Sequence, residues 1–118
     1  MQHAKQTVTK KTYSTFEEFW PFYLSQHLNK TCRIFHFVGT CGVFAGLYLA
    51  VTSSVYFLLA IPVFAYGFAW AGHFIFEKNV PATFTYPLWS LIGDFKMFFM
   101  TLGFKLKKEF DRLHLKSF

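Results

Sequence analysis

Charge is what this sequence has least of. Only 15% of its 118 residues are Asp, Glu, Lys or Arg, where a soluble globular domain carries about 25%. The 18 charged residues fall at or before Arg33 (seven) or at or after Glu77 (eleven), and the 43 positions from Ile34 to Phe76 hold none. Cysteine is also scarce: Cys32 and Cys41 are the two present, with neither a secreted disulfide framework nor zinc-type spacing. The first eleven residues are polar and basic with no apolar stretch, so no cleavable signal peptide is expected. Internal repeats and low-complexity tracts are absent as well.

Apolar and aromatic residues are abundant instead. The chain is 53% hydrophobic and 23% aromatic, with 18 phenylalanines, which excludes a disordered, polar tail protein. A chain this short would struggle to hide so many rings from water as a soluble fold. A membrane-crossing helix needs about 20 mainly apolar residues, so the uncharged stretch makes two crossings and a tight turn. The expected class is an all-α integral membrane protein. Its centre is a transmembrane helical hairpin, flanked by interfacial or partly inserted amphipathic helices.

The expected boundaries follow the composition. Residues 1–13 read as a disordered polar start, 14–104 as the membrane-embedded helical domain and 105–118 as a basic amphipathic tail lying on headgroups. Thr15-Phe16-Glu17-Glu18 has the form of a capping box, and Pro21 should bend or restart the aromatic helix behind it. The first crossing is expected over about 34–51 and the second over about 55–76, joined at Thr52-Ser53-Ser54. Gly39, Gly42, Gly46 and Ala50 share a face of the first, and Ala65, Ala69 and Gly72 a face of the second. Such small-residue stripes let helices approach closely in lipid, within the hairpin or between two copies in a homodimer. Residues 88–104 carry Asp94 and Lys96, so they read as interfacial or partly inserted. Five Lys/Arg precede the hairpin and seven follow it, which places both termini in the cytoplasm by the positive-inside rule. The host is then a bacterial inner membrane or an endoplasmic reticulum. The same topology and anionic lipid account for the net charge of +6 without nucleic acid.

Histidine is the feature that this frame makes informative. Counted from Ser53, His36 and His73 lie 17 and 20 residues away, or about 25 and 30 Å along their helices. Folding the hairpin brings them to the same end. His36 shares the face of Gly39 and Gly42, and Glu77 lies at i+4 from His73. His27 sits where the entry segment can fold back over this end. Ionisable groups at such depth mark a functional site by default. Three imidazoles and a carboxylate suit Fe(II), Zn(II) or Mn(II), and spacing alone does not choose among them. His3 and His114 are assigned no role.

Several of these residues belong to a larger pattern. His27-Leu28-Asn29 with His36, then Gly72-His73-Phe74-Ile75-Phe76-Glu77-Lys78-Asn79-Val80-Pro81-Ala82, resembles the Mpo-type 2-hydroxy fatty acid dioxygenase family. Tyr86-Pro87-Leu88-Trp89-Ser90-Leu91-Ile92-Gly93-Asp94-Phe95 looks like its short branch, and the likeness covers about 16–104. It implies a membrane enzyme of fatty acid α-oxidation, in which Fe(II) and O2 shorten a 2-hydroxy fatty acid by one carbon. It also maps the iron-site histidines onto His27, His36 and His73. Glu77 is then a fourth ligand or a second-sphere acceptor, with Asp94 the other carboxylate in reach. Asn29 is expected to cap or hydrogen-bond within the site. Lys78 or Arg33 would pair with the substrate carboxylate or serve as snorkelling anchors, and the acyl chain would lie along Phe35, Phe37 and Phe76. Two other readings stay open: a haem protein with His36 and His73 as axial ligands, and a non-enzymatic membrane protein whose histidines only hydrogen-bond.

Overall fold

The computed structural model describes residues 12–116, and the described chain is all helix and loop. Helix α1 spans Phe16–Ser25, α2 Lys30–Thr52 and α3 Phe57–Ala71; a π-helical turn, Gly72–Glu77, continues α3. A short 3-10 turn, Ala82–Phe84, leads to α4, Pro87–Leu102, and α5, Leu106–Arg112.

Each start has a local cause. The Thr15 hydroxyl accepts the Glu18 amide and the Glu18 carboxylate accepts the Ser14 amide, so the expected box forms with its second bond one residue early. Helix α1 then runs unbroken through Pro21. The bond that proline removes is the one to Glu17's carbonyl, and Glu17 is exposed to solvent. Asn29 caps α2 by accepting the Thr31 and Cys32 amides, and Pro87 occupies the first turn of α4.

Helix α2, 23 residues long, and the 21 residues from Phe57 to Glu77 are both long and apolar enough to cross a membrane. They pack along the expected seam. A Cβ on Gly39 would stand 3.0 Å from the Ala65 carbonyl oxygen, and one on Gly46 2.5 Å from Ile61. The seam is therefore filled inside the hairpin. Helix α4 has 16 residues, about 24 Å, short of a hydrocarbon core of about 30 Å.

The remaining helices close around the end of the hairpin that holds its two chain ends. Phe19, Trp20, Tyr23, Leu24 and Leu28 form a buried core with Met97 and Phe110. Gly93 lets α4 approach Tyr23, whose ring would stand 3.0 Å from a Cβ there. Two boundaries differ from expectation. Tyr13, within the stretch expected to be disordered, is buried and donates its amide to the Tyr86 hydroxyl at 3.0 Å; residues 1–11 lie outside the described residues. The tail expected on headgroups is folded back. Phe110 is buried under the Arg33 guanidinium, 4.9 Å from its ring, and Glu109 accepts the Trp20 indole N–H at 2.7 Å. An amphipathic pattern fits a protein groove as well as a bilayer surface.

Candidate metal centre

Three histidines from three elements meet inside this closed end. His27 lies on the turn after α1, His36 nearly two turns into α2, and His73 on the π-helical turn. All three are buried, and their ligand-capable nitrogens lie within 4.8 Å of one another. The rings pack edge to face, with centroids 4.5 to 4.8 Å apart.

Hydrogen bonds on the far side of each ring decide what the near side offers. His27 Nδ1 is 2.6 Å from the Tyr23 carbonyl oxygen, His36 Nδ1 2.9 Å from that of Cys32, and His73 Nδ1 2.7 Å from Asn79 Oδ1. Carbonyl oxygens only accept, so in each ring Nδ1 carries the proton and Nε2 the lone pair. Asn79 is oriented independently, because its amide nitrogen donates to the Gln26 main-chain oxygen and to Gln26 Oε1 at 3.1 and 2.9 Å. Burial, with the neighbouring imidazoles adding, holds the His27 imidazole well below its usual pKa, so it is neutral.

These tautomers leave His27 Nε2 and His36 Nε2 facing each other at 3.2 Å with a lone pair on each. Two acceptors so placed repel unless a cation lies between them. Two imidazoles bound to one ion at about 2.1 Å hold their nitrogens about 3.0–3.4 Å apart, which matches. The donor set therefore fits a transition metal held by His27, His36 and His73, with each far nitrogen fixed by an oxygen acceptor. A haem has no room between His36 and His73, whose ring centroids are 4.8 Å apart.

Glu77 stands outside this trio. Its Oε1 accepts the Asn29 amide at 2.7 Å and its Oε2 the Leu28 amide at 3.2 Å. Arg33 holds the same turn from its other polar face, donating to the carbonyls of His27 and Leu28 at 2.8 and 2.9 Å. The segment carrying His27 is thus clamped by Asn79, Arg33 and Glu77, so Glu77 positions a histidine from a distance. The π-helical turn makes this possible by carrying His73 and Glu77 into the interior together, and Lys78 ends it in the left-handed region at φ 61°. Gly72 sits 3.2 Å, by its missing Cβ, from the Cys32 backbone.

Asn29 caps α2 as expected, Arg33 binds the turn and covers Phe110, and Lys78 is exposed. An apolar cavity of about 300 Å3 does reach His36, between the hairpin and α4, lined by residues such as Thr40, Val43, Ile61, Ala65 and Phe95. Of the residues expected along the acyl chain, Phe35 packs on Phe68 and Phe76, and Phe37 on Phe98. Asp94 shares the cavity wall with His36 and accepts the Tyr23 hydroxyl; burial pushes its carboxyl up to about 7. Tyr23 also stacks on His27, with centroids 4.1 Å apart. Sequence reasoning missed Tyr23, though its i, i+4 spacing to His27 was the available signal. Asn79 gave none beyond its place in the loop after His73. His114 lies outside the trio and is exposed, and His3 falls outside the described residues.

A family model for the 2-hydroxy-palmitic acid dioxygenase Mpo1-like proteins matches residues 13–106. The chain belongs to this family. The match begins at the buried Tyr13 and ends at Leu106, enclosing all three histidines and the cavity beside them. No curated protein and no solved structure matched the chain.

Proposed function

We propose that this chain is an integral membrane, Fe(II)-dependent dioxygenase that acts on 2-hydroxy fatty acids and releases an acid one carbon shorter. The observation that carries the reading is the trio of Nε2 lone pairs, each fixed by an oxygen acceptor on Nδ1. Family membership supports the reaction class. The two apolar helices and the flanking Lys/Arg support a membrane setting with both termini on the cytoplasmic side.

Iron bound by His27, His36 and His73 would supply the redox chemistry with O2 that no side chain can. The protein supplies placement. The 300 Å3 cavity opens toward the hairpin's apolar length and ends at His36 and Asp94, so an acyl chain entering from lipid brings its polar head to the histidines. Tyr23 holds Asp94 and His27 together at that junction. Buried walls from α1 and α4 keep bulk water from the centre. That the histidines merely hydrogen-bond is disfavoured, because such a role does not aim lone pairs at one another.

The test is turnover by the iron-loaded protein in detergent. With 2-hydroxyhexadecanoate and O2, mass spectrometry should show a C15 acid and matching O2 uptake. Iron-loaded protein that leaves 2-hydroxy fatty acids unchanged overturns the reading.

A further inference from the structure

Two buried polar atoms beside the histidines have no hydrogen-bond partner among the described residues: Trp70 Nε1 and Ser90 Oγ. Trp70 ends α3, its ring held between Tyr66 and Phe84 with centroids 5.5 and 5.2 Å away. Ser90 is 3% exposed on the first turn of α4. A helical serine commonly returns its hydroxyl to the carbonyl four residues back, here Tyr86, which this one does not. Both residues line one small cavity together with His27, His36 and His73.

The chemistry of the pair limits what fits. An indole N–H only donates and a serine hydroxyl can donate, so the partner must accept hydrogen bonds. The cavity has about 10 Å3 of open space, near the 10–15 Å3 that one water-sized oxygen needs. It shares His36, Ala69 and Asp94 with the 300 Å3 apolar cavity. Space for one oxygen therefore adjoins both residues, and an apolar chain can continue into the larger space. Among the described residues no Lys or Arg lines the small cavity, and its one acidic residue, Asp94, is engaged by the Tyr23 hydroxyl, so neutral donors would have to hold an anion there, as buried amides do elsewhere.

We propose that Trp70 and Ser90 are the receptor for one carboxylate oxygen of the lipid acid, beside the three histidines. This rests on the substrate class argued above and assigns the group that orients it. The pair fixes the head, the apolar cavity takes the chain, and the carbon next to the carboxylate faces the histidines.

The test is equilibrium dialysis of the metal-loaded full chain in detergent without O2, using labelled 2-hydroxyhexadecanoate and hexadecane-1,2-diol. Trp70→Phe and Ser90→Ala should each weaken binding of the acid about tenfold, as for one lost hydrogen bond to a charged group. Metal content and affinity for the diol should stay as in the wild type. The two variants keep the ring and the side-chain volume nearly intact, and either alone reads the result should the other not fold. Wild-type affinity for the acid in both variants overturns the proposal, and means the pair holds a water. Equal losses for acid and diol overturn it too, as a packing effect. A wild type that binds no acid overturns the substrate reading along with it.

Discussion

Near its turn, the hairpin leaves Val51 87% and Leu59 71% exposed, whereas at its other end the same two helices, with the π-helical turn, carry His36 at 5% and Glu77 at 1%. Apolar side chains lie open at one end while ionisable ones are buried at the other. A soluble protein does the reverse. Among the described residues the open end has little cover beyond its partner helix, which suits a hydrocarbon surrounding. The closed end is wrapped by α1, α4 and α5, which supply the hydrogen bonds that buried polar groups require. Two packed helices are too narrow to enclose a site, so the shorter helices wrapped around their end are what create one.

If that contrast is right, substitutions should matter in proportion to their distance from the closed end. The largest effect is expected for His27→Ala, His36→Ala and His73→Ala, each removing turnover to background as read by O2 uptake, since three ligands leave no redundancy. Next comes Glu77→Ala. It strips a charged acceptor from two backbone amides, and each such bond is worth about 1.5–3 kcal/mol. A loss of about 3 kcal/mol in chemical denaturation in detergent is expected, with weaker metal binding as the His27 turn loosens. Asn79→Ala should leave the fold intact but weaken metal affinity about 10- to 100-fold in a competitive chelator titration, the usual effect of removing a ligand's hydrogen-bond partner. Leu59→Ala at the open end should change stability by no more than about 0.5 kcal/mol and leave metal content untouched. A large effect there would break the comparison.

Much of this was legible in the sequence. The charge gap and the polar Thr52-Ser53-Ser54 break define the hairpin, because crossing length and helix rise are fixed quantities. Counting from that break already brings His36 and His73 together. Glu77 at i+4 reads as sharing the face of His73, yet its partners, the amides of Leu28 and Asn29, are 49 and 48 residues away. Periodicity says which face is buried and not what it meets. The docking of Phe110 was hidden for the same reason, since basic amphipathic segments suit lipid and protein alike. Trp70 and Ser90 were hidden more deeply. A tryptophan near a membrane edge ordinarily reads as an interfacial anchor, and a lone serine carries no pattern; only their unpartnered atoms single them out.

His27, His36 and His73 are proposed to hold one metal ion at the closed end. Elemental analysis of purified wild type beside the His73→Ala variant tests it most directly. The wild type should carry about one transition-metal ion per chain, iron after growth with iron, and the variant should lose it. A wild type that carries no transition metal, or a His73→Ala protein that keeps its full complement, would contradict it.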